Sequence, residues 1–335
     1  MYKPTDIDNL IKDIFLKLDK RQKEILEKRF RLKGNGKVTL ASIGKKYRIT
    51  RERVRQIENQ SLKKIQTAFR NQLSPFISLA AEKLNLAGGV QKDNLFIANL
   101  RQTFGSSPNL EAKLRFLLLT ADTPIFFKEN DLYHSFWYSD DKLKQEAFRF
   151  IKSISSFFRK KGVSQKTNSF LRGDAKHENS LKVAKEIGFN SFNEVGLAEW
   201  PEITPKTVRD KIYLVLKNEK KPLHFSQITG LINQRGFDGK NAHLQTVHNE
   251  LIKDSRFILV GRGLYGLAEH GFEAGTTEEI VRKTIKKEGP LDSRQIIELV
   301  SRQKLVKPNT ITLSLQNKTL FRKLTDGRYA LIRRS

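Results

Sequence analysis

The chain has 335 residues, of which 63 are Lys or Arg and 36 are Asp or Glu, and its formal net charge is +27. This length suits roughly two to four small domains, and 38% hydrophobic with 30% charged residues is typical of a globular protein, not of a disordered or membrane-spanning one. The absence of cysteine excludes disulfides, thiolate zinc sites and cysteine nucleophiles, and it fits a reducing compartment, so we expect a soluble cytoplasmic protein.

The excess of positive charge indicates a polyanionic partner, because phosphate backbones neutralise such a field well. A ribosome-associated protein, or a merely basic soluble protein, would have a similar composition. Charge does not distinguish DNA from RNA, so the motifs along the chain must decide between them.

The first predicted elements are two helices within residues 8–33. Apolar residues recur there at helical spacing on both sides of a break at Asp19. The segment 34–37 that follows is predicted to be a turn, because no strand precedes its two glycines and no phosphate-loop pattern surrounds them.

Residues 38–70 have the pattern of a short helix, a tight turn and a long helix. Thr39 and Thr50 are the predicted N-caps of the two helices, and Pro75 marks a boundary after them. Gly44 is the small residue that lets the two helices approach closely. The predicted inward face of the long helix consists of Val54, Ile57, Ser61, Ile65 and Ala68.

The long helix opens with charged and polar residues that suit the major groove of DNA. Arginine can donate two hydrogen bonds to guanine, glutamate can accept one from cytosine, and glutamine can pair with adenine. The outward faces of the helix carry Arg51, Glu52, Arg55, Gln56 and Asn59. A solvated charged face is the alternative, but three arginines with one acid in a single turn repel one another unless phosphates are nearby.

A helical middle region is predicted over residues 75–200. Its first part, residues 76–140, could contain a winged helix. The pattern there indicates helices over 92–104 and 110–119, and hairpin strands over 124–127 and 132–138.

The rest of the middle region has two predicted segments. Residues 143–158 have the pattern of an amphipathic helix, and residues 160–176 are polar enough to be a linker. The aromatic residues of the predicted hairpin are Phe126, Phe127, Phe136, Trp137 and Tyr138. They could form a base-stacking platform, but strand side chains that pack into a core are the favoured interpretation.

The C-terminal part contains an internal repeat. The matching segments are 221–228 with 289–296 and 257–267 with 321–331. The predicted helices are 207–218, 226–234 and 242–253 in the first copy, and 277–287, 292–303 and 309–316 in the second. A hairpin closes each copy, with its turn at residues 261–263 or 326–327. Three helices closed by a β-wing is the winged-helix arrangement, so two such modules are predicted in tandem.

Residues 19–66 resemble region 4 of the sigma-70 factors. The resemblance rests on residues 18–32, on the helix-turn-helix that follows, and above all on the run Thr-Arg-Glu-Arg-Val-Arg-Gln-Ile-Glu at 50–58. It implies a recognition helix that reads the −35 promoter element. The implied base contacts come from Arg51, Glu52 and Gln56, with Arg53 and Arg55 placed for bases or phosphates. Thr50 begins this helix, and Lys45 and Lys46 are the predicted phosphate anchors.

The chain departs from the sigma-70 pattern in three places. It has Ala41 and Ser42 where the family has acids, and Arg48 where Asp or Asn is usual in the turn; both departures affect capping more than readout. It also has no counterpart of region 2, whose helix opens the −10 element and grips the polymerase core. The resemblance covers only about a fifth of the chain, so we do not expect a complete promoter-opening sigma factor.

The C-terminal half resembles the HARE-type helix-turn-helix, which is related to the N-terminal domain of the RNA polymerase delta subunit. The resemblance rests on residues 206–212, 222–225, 246–252 and 257–267. It implies DNA binding or polymerase docking, and a purely protein-binding role is the alternative, since winged helices serve both. The candidate DNA contacts are Asn241, His243, Gln245, Thr246, Asn249 and Arg262 in the first module, and Thr310, Thr312, Gln316, Lys318 and Arg328 in the second.

No catalytic pattern stands out in the sequence. The six histidines are scattered, and His243 and His248 are five residues apart, which fits one helical face poorly. There is no nucleophile elbow, Walker motif or paired-carboxylate pattern. We therefore expect no enzymatic activity, no cofactor, no metal and no small-molecule substrate.

The sequence thus predicts a mainly α, multidomain chain with a helix-turn-helix and winged helices that carry small β-wings. The predicted domains are 1–74 (helix-turn-helix), 75–200 (middle region), 201–272 (HARE-type winged helix) and 273–335 (second winged helix). The predicted function is binding of double-stranded DNA in bacterial transcription, by a nucleoid-associated protein for which the RNA polymerase core is a candidate partner. The alternatives are a polymerase-associated accessory factor and the DNA-targeting part of a restriction or repair system.

Overall fold

The structure is a computed structural model that describes residues 4–34, 38–105 and 107–332. These residues form sixteen α-helices and only small antiparallel sheets, so the predicted mainly α fold class is confirmed. The chain packs into two compact units, Met1–Gly188 with Val195–Ala198 and Phe189–Glu194 with Glu199–Ser335. None of the helices in the described part of the chain is long and apolar enough to cross a membrane. The boundaries between the four domains proposed from the sequence stay predictions.

The first unit begins with the helices α1 (Pro4–Leu16), α2 (Lys20–Phe30), α3 (Leu40–Tyr47) and α4 (Arg51–Ala68). The side-chain oxygens of Thr39 and Thr50 accept hydrogen bonds from the backbone N–H groups of Ser42 and Arg53, so both predicted N-caps are confirmed. The predicted turn at 34–37 lies, apart from its first residue, outside the described residues.

Two predicted details at the end of α4 are wrong. Val54, Ile57, Ser61 and Ile65 are buried as expected. Ala68 is exposed, and its neighbour Phe69 is buried in the core instead. Pro75 does not interrupt the helical structure but lies inside α5 (Arg70–Leu86). A proline there removes one backbone hydrogen bond, and burial of Leu73 and Phe76 on either side of it keeps the helix in place.

After α4, four winged modules follow in the described residues; three have a helix, a strand, two helices and a two-stranded hairpin, and the fourth has the same order without the strand. The first winged module consists of α5, β1 (Val90–Lys92), α6 (Asp93–Phe104), α7 (Leu110–Leu118), β2 (Ile125–Phe127) and β3 (Phe136–Tyr138). The second consists of α8 (Asp141–Lys161), β4 (Gln165–Lys166), α9 (Thr167–Leu171), α10 (Ala175–Val183), β5 (Ile187–Phe189) and β6 (Glu194–Leu197). The linker predicted at 160–176 is therefore wrong, because β4 and α9 occupy it.

The third winged module consists of α11 (Val208–Glu219), β7 (Leu223–His224), α12 (Phe225–Arg235), α13 (Leu244–Lys253), β8 (Phe257–Gly261) and β9 (Leu264–Leu267). The fourth consists of α14 (Thr277–Glu288), α15 (Ser293–Gln303), α16 (Pro308–Ser314), β10 (Phe321–Lys323) and β11 (Tyr329–Leu331). In the fourth module a single bridge between Leu291 and Tyr329 takes the place of the first strand. The predicted tandem winged helices are confirmed.

The same sheet topology recurs in the modules. The first strand pairs with the third, which also pairs with the second, and the three complete sheets have the orders β1-β3-β2, β4-β6-β5 and β7-β9-β8. The aromatic residues of the first wing are part of the core: Phe136, Trp137 and Tyr138 are all buried, and the rings of Phe127 and Phe136 stack at 4.5 Å. The packing interpretation of this cluster is confirmed.

The two units differ in how their apolar cores are connected. In the first unit one cluster runs from Ile7 in α1 to Leu118 in α7 and includes Trp137, so the first helices and the first winged module share a core. A smaller cluster around Ile43 and Val54 joins α2, α3 and α4. In the second unit the third and fourth modules have separate clusters.

Backbone contacts join the third and fourth modules at the edge strand β8. The N–H of Leu305 donates to the carbonyl of Val260 at 3.0 Å. Lys304 Nζ donates to the carbonyl oxygens of Gly275, at 2.6 Å, and of Leu259, at 3.3 Å. Burial lowers the pKa of Lys304, because an ammonium group between the two modules is partly removed from water. The segment after α15 thus covers the outer edge of the third module's wing.

Candidate nucleic-acid interface

The close crossing of α3 and α4 depends on Gly44. A Cβ atom at this position would lie 2.5 Å from the carbonyl oxygen of Ile49, so a larger residue would push the two helices apart. Arg48 ends α3 in the left-handed conformation, with φ 52° and ψ 44°. That conformation explains why Asp or Asn suits this turn position, and an arginine there adopts it at some cost.

The first two turns of α4 present the predicted reading residues to solvent. The exposed residues are Lys45 and Lys46 on α3, and Thr50, Arg51, Glu52, Arg53, Arg55 and Gln56 at the start of α4. Several of these side chains are paired with each other: Arg55 Nη2 lies 2.6 Å from Glu52 Oε1, and Arg53 Nη1 donates to Gln56 Oε1 at 3.0 Å. The hydrogen bond from Arg55 lowers the pKa of Glu52, which keeps this carboxylate ionised as an acceptor.

Ion pairs and hydrogen bonds connect α2 to the two helices of the helix-turn-helix, α3 and α4. Arg29 Nε lies 3.2 Å from Glu58 Oε2, and burial raises the pKa of Glu58 while Arg29 opposes that shift. Glu24 accepts hydrogen bonds from Lys46 and Tyr47 on α3, and these bonds lower the pKa of Glu24 to about 2. Lys46, predicted as a phosphate anchor, is therefore already engaged in an ion pair. Its contact with DNA, like that of Lys45, stays a prediction.

In the first two winged modules, the third helix packs against the first unit. The buried residues of α7 are Leu110, Leu114, Phe116, Leu117 and Leu118. The Phe116 ring lies 5.2 Å from the ring of Phe30 in α2. In α10, Asn179 Nδ2 donates to the carbonyl of Ala87 at 2.9 Å, and Lys176 Nζ pairs with Glu146 at 3.0 Å. The apolar residues of these helices are used for packing within the first unit, so neither helix has the open polar side of a DNA-reading helix.

In the third and fourth modules, the corresponding helices are open to solvent. The exposed candidate residues are Asn241, His243, Gln245, Thr246, Asn249 and Arg262 in the third module, and Thr310, Thr312, Gln316, Lys318 and Arg328 in the fourth. Gln245 Nε2 donates to Asn249 Oδ1 at 3.0 Å, and Arg328 Nη2 pairs with Asp326 at 2.6 Å. Their contacts with DNA stay predictions.

The first unit also contains a groove that no sequence pattern indicates. It has a volume of about 1280 Å³ and lies between the helix-turn-helix and the first winged module. We call it the basic groove, after the cations in its lining, which are Arg29, Arg31, Arg101, Arg115 and Lys128. These residues come from separate segments that only the fold brings together. Among the described residues, no cluster of three His, Asp or Glu side chains could hold a metal ion.

Two segments of the chain match known family models. Residues 14–67, which include α2, α3 and all but the last residue of α4, match Sigma-70, region 4. Residues 206–270, which include the third winged module, match the HARE-HTH model, a helix-turn-helix domain named after ASXL and restriction endonuclease proteins among others. Both matches coincide with the resemblances found in the sequence, and together they support a DNA-binding role. The chain therefore carries a sigma-70 region 4-type helix-turn-helix in its first unit and a HARE-type helix-turn-helix in its second.

Proposed function

We propose that this protein binds a specific duplex DNA sequence in bacterial transcription, and that α4 reads the sequence. The observation that carries the proposal is the exposure of the first two turns of α4 within a segment that matches sigma-70 region 4. The net charge of +27 supplies the general attraction to the phosphate backbone that such binding needs. The protein acts by binding, without catalysis, and we place it on the nucleoid.

The mechanism is direct readout in the major groove, which is about 12 Å wide and admits an α-helix. In this proposal Arg51, at the first position of α4, donates two hydrogen bonds to guanine. Glu52 accepts a hydrogen bond from a cytosine amino group, and its present partner Arg55 is then released toward a phosphate. In the same way, Gln56 would exchange its hydrogen bond with Arg53 for one with adenine.

The third and fourth modules add DNA contacts in this proposal. The amides of Gln245 and Asn249 lie on one exposed face of α13, and amide side chains suit adenine. Arg262 stands exposed between β8 and β9, where a wing residue reaches a flanking phosphate or minor groove. The match of this module to a helix-turn-helix family supports the assignment.

A second candidate function is that of an accessory factor on RNA polymerase, in which the third module docks on protein. Leu244 and Ile252 on α13 and Leu259 on β8 are 47, 64 and 50% exposed. Apolar side chains of this size contribute little to a phosphate contact, and they are suited to a protein interface. Binding of the purified full chain to core polymerase, compared with a Leu244→Ser and Ile252→Ser variant, tests this candidate.

The experiment for the main proposal selects bound sequences from a random duplex library with the full chain. Replacing Glu52 by Ala should relax the preference at one or two positions and cost roughly 1–3 kcal/mol at the selected site. Glu82→Ala, which removes an exposed acid from α5 in the same unit, should leave the preference unchanged. Equal loss on every sequence from Glu52→Ala, or no duplex binding at low salt, would contradict the proposal.

A further inference from the structure

The basic groove continues the exposed face of α4. Glu52, Arg55, Asn59 and Leu62 follow one another at intervals of three or four residues and so lie on one side of the helix. Asn59 and Leu62 belong to the lining of the groove. At 1.5 Å per residue, Asn59 lies about 10 Å along the helix from Glu52, which is comparable to the width of the major groove. The reading face and the groove therefore form one surface.

The groove has more cations than acids. Its three acids are each paired with an arginine: Glu58 with Arg29 at 3.2 Å, Asp93 with Arg115 at 3.0 Å, and Glu111 with Arg101 at 3.3 Å. Arg31 and Lys128 are exposed, and among the described residues no acid lies within ion-pair distance of either. The groove thus presents two uncompensated cations to a polyanion.

The two walls of the groove are fixed to each other. Lys113 Nζ in α7 lies 2.6 Å from Asp8 Oδ1 in α1, and Gln66 Nε2 in α4 donates to Asp122 Oδ1 at 2.6 Å. Asn109 Nδ2 adds a contact of 3.4 Å to the carbonyl of Leu32. Because these contacts and the shared apolar core hold the walls in place, binding in the groove does not require ordering them first.

We propose that the basic groove holds the phosphodiester backbone of the duplex that α4 reads, with Arg31 and Lys128 each contacting a phosphate. This inference rests on the proposed function, because it is the duplex at α4 that brings a backbone to the groove. The first winged module then takes part in DNA binding through the residues that line the groove, and not by inserting its third helix α7 into the major groove. A phosphate backbone is favoured over an acidic peptide because the groove is continuous with the reading face of α4.

The test is the salt dependence of duplex binding by the full chain, measured for wild type and for Arg31→Gly with Lys128→Gln. Arg31 has φ 55° and ψ 36°, a conformation in which glycine is favoured, so this replacement removes a charge without adding backbone strain. The matched control is Arg172→Gly with Lys152→Gln: Arg172 has φ 52°, both control residues are exposed, and both belong to the same unit but not to the groove.

Loss of two phosphate contacts should lower the slope of log affinity against log salt by about 2, and weaken binding at 0.1 M salt on the order of tenfold or more. The base preference should not change, and the control should keep the wild-type slope. A groove variant that keeps the wild-type slope while Glu52→Ala still relaxes the base preference would overturn the groove proposal and leave the proposed function standing. The groove proposal would also be overturned, in favour of an acidic peptide, if the wild type bound polyglutamate and the groove variant lost this binding while keeping the wild-type slope for DNA. Absence of any sequence preference in the wild type would instead overturn the proposed function.

Discussion

The first and third winged modules have the same order of elements but use their third helix in opposite ways. In α7 every residue except Glu111 is buried or half-buried, and five of its nine residues are buried apolar ones. In α13 only Val247 and Leu251 are fully buried, and polar residues cover the outer side. An apolar helix packs into a core, whereas a helix with one apolar stripe leaves its other side free. Winged-helix topology alone therefore does not identify a DNA-reading helix.

The largest effect expected from this comparison is on stability. Phe116→Ala removes a fully buried ring that packs against Phe15 and Phe30, and should lower the free energy of unfolding by about 3–5 kcal/mol. Asn249→Ala, on the exposed side of α13, should change it by less than about 0.5 kcal/mol. Urea denaturation of the full chain measures both free energies of unfolding, provided that the unfolding of each unit is followed separately. Similar losses for the two variants would mean that α13 is a packing helix as well.

The second effect concerns how the exposed helix α4 is held. Gly44→Ala places a Cβ against the Ile49 carbonyl, and should cost about 1–3 kcal/mol and weaken DNA binding through displacement of α4. Gly230 is the matched control in α12, since a Cβ there meets nothing within 4 Å. Gly230→Ala should stabilise the protein by about 0.5–1 kcal/mol, as expected for an exposed helical glycine. Thermal unfolding distinguishes the two, and an unchanged Gly44→Ala midpoint would contradict the close crossing.

A third effect is the pH dependence of the contacts between α2 and the helix-turn-helix. The pKa of Glu24 is lowered from the ordinary value of 4.5 to about 2, so its contribution to stability is present above pH 4.5 and is lost as the pH falls toward 2. Glu58 has the opposite sign: its raised pKa means that stability decreases as the pH rises through that pKa. Glu24→Gln should therefore flatten the acid side of the stability profile, measured by urea unfolding between pH 2 and 5. An equally steep acid loss in this variant would show that other carboxylates cause it.

The smallest effect is expected at the turn between α3 and α4. Arg48→Asn places a residue that tolerates the left-handed conformation at φ 52°, and should raise the free energy of unfolding by up to about 1 kcal/mol. Arg172→Asn, at the same backbone conformation after α9, gives a reference for the conformational gain alone. Weaker DNA binding by Arg48→Asn but not by Arg172→Asn would indicate that the arginine is retained for a phosphate contact.

The sequence predicted the helix-turn-helix in detail because its signals are local. Thr39 and Thr50 cap the helices they precede, and Val54, Ile57 and Ile65 follow a helical period that burial preserves. The tandem modules were found because their segments repeat. The capping and burial signals are reliable because each one depends on residues only a few positions apart, and the repeat can be recognised because the same local pattern occurs twice.

The second winged module and the basic groove could not be predicted in this way. The strand β4 has two residues, Gln165 and Lys166, which are too short and polar to show a strand period. The helix at Pro75 is maintained by tertiary packing, which no local rule takes into account. Arg31, Arg101 and Lys128 line one groove only because α1 and α2 pack on α7. No spacing of residues in the sequence therefore predicts the groove.

The covered edge of β8 has a consequence for dividing the protein into fragments. Leu305 donates a hydrogen bond to Val260 from beyond the end of the HARE match at residue 270. A fragment that stops near that residue would leave the outer edge of β8 unpaired, with Leu259 half exposed beside it. Open strand edges pair with other chains and promote aggregation. The third module should therefore be monomeric with the fourth attached and self-associate without it, so the fourth module protects the solubility of its neighbour.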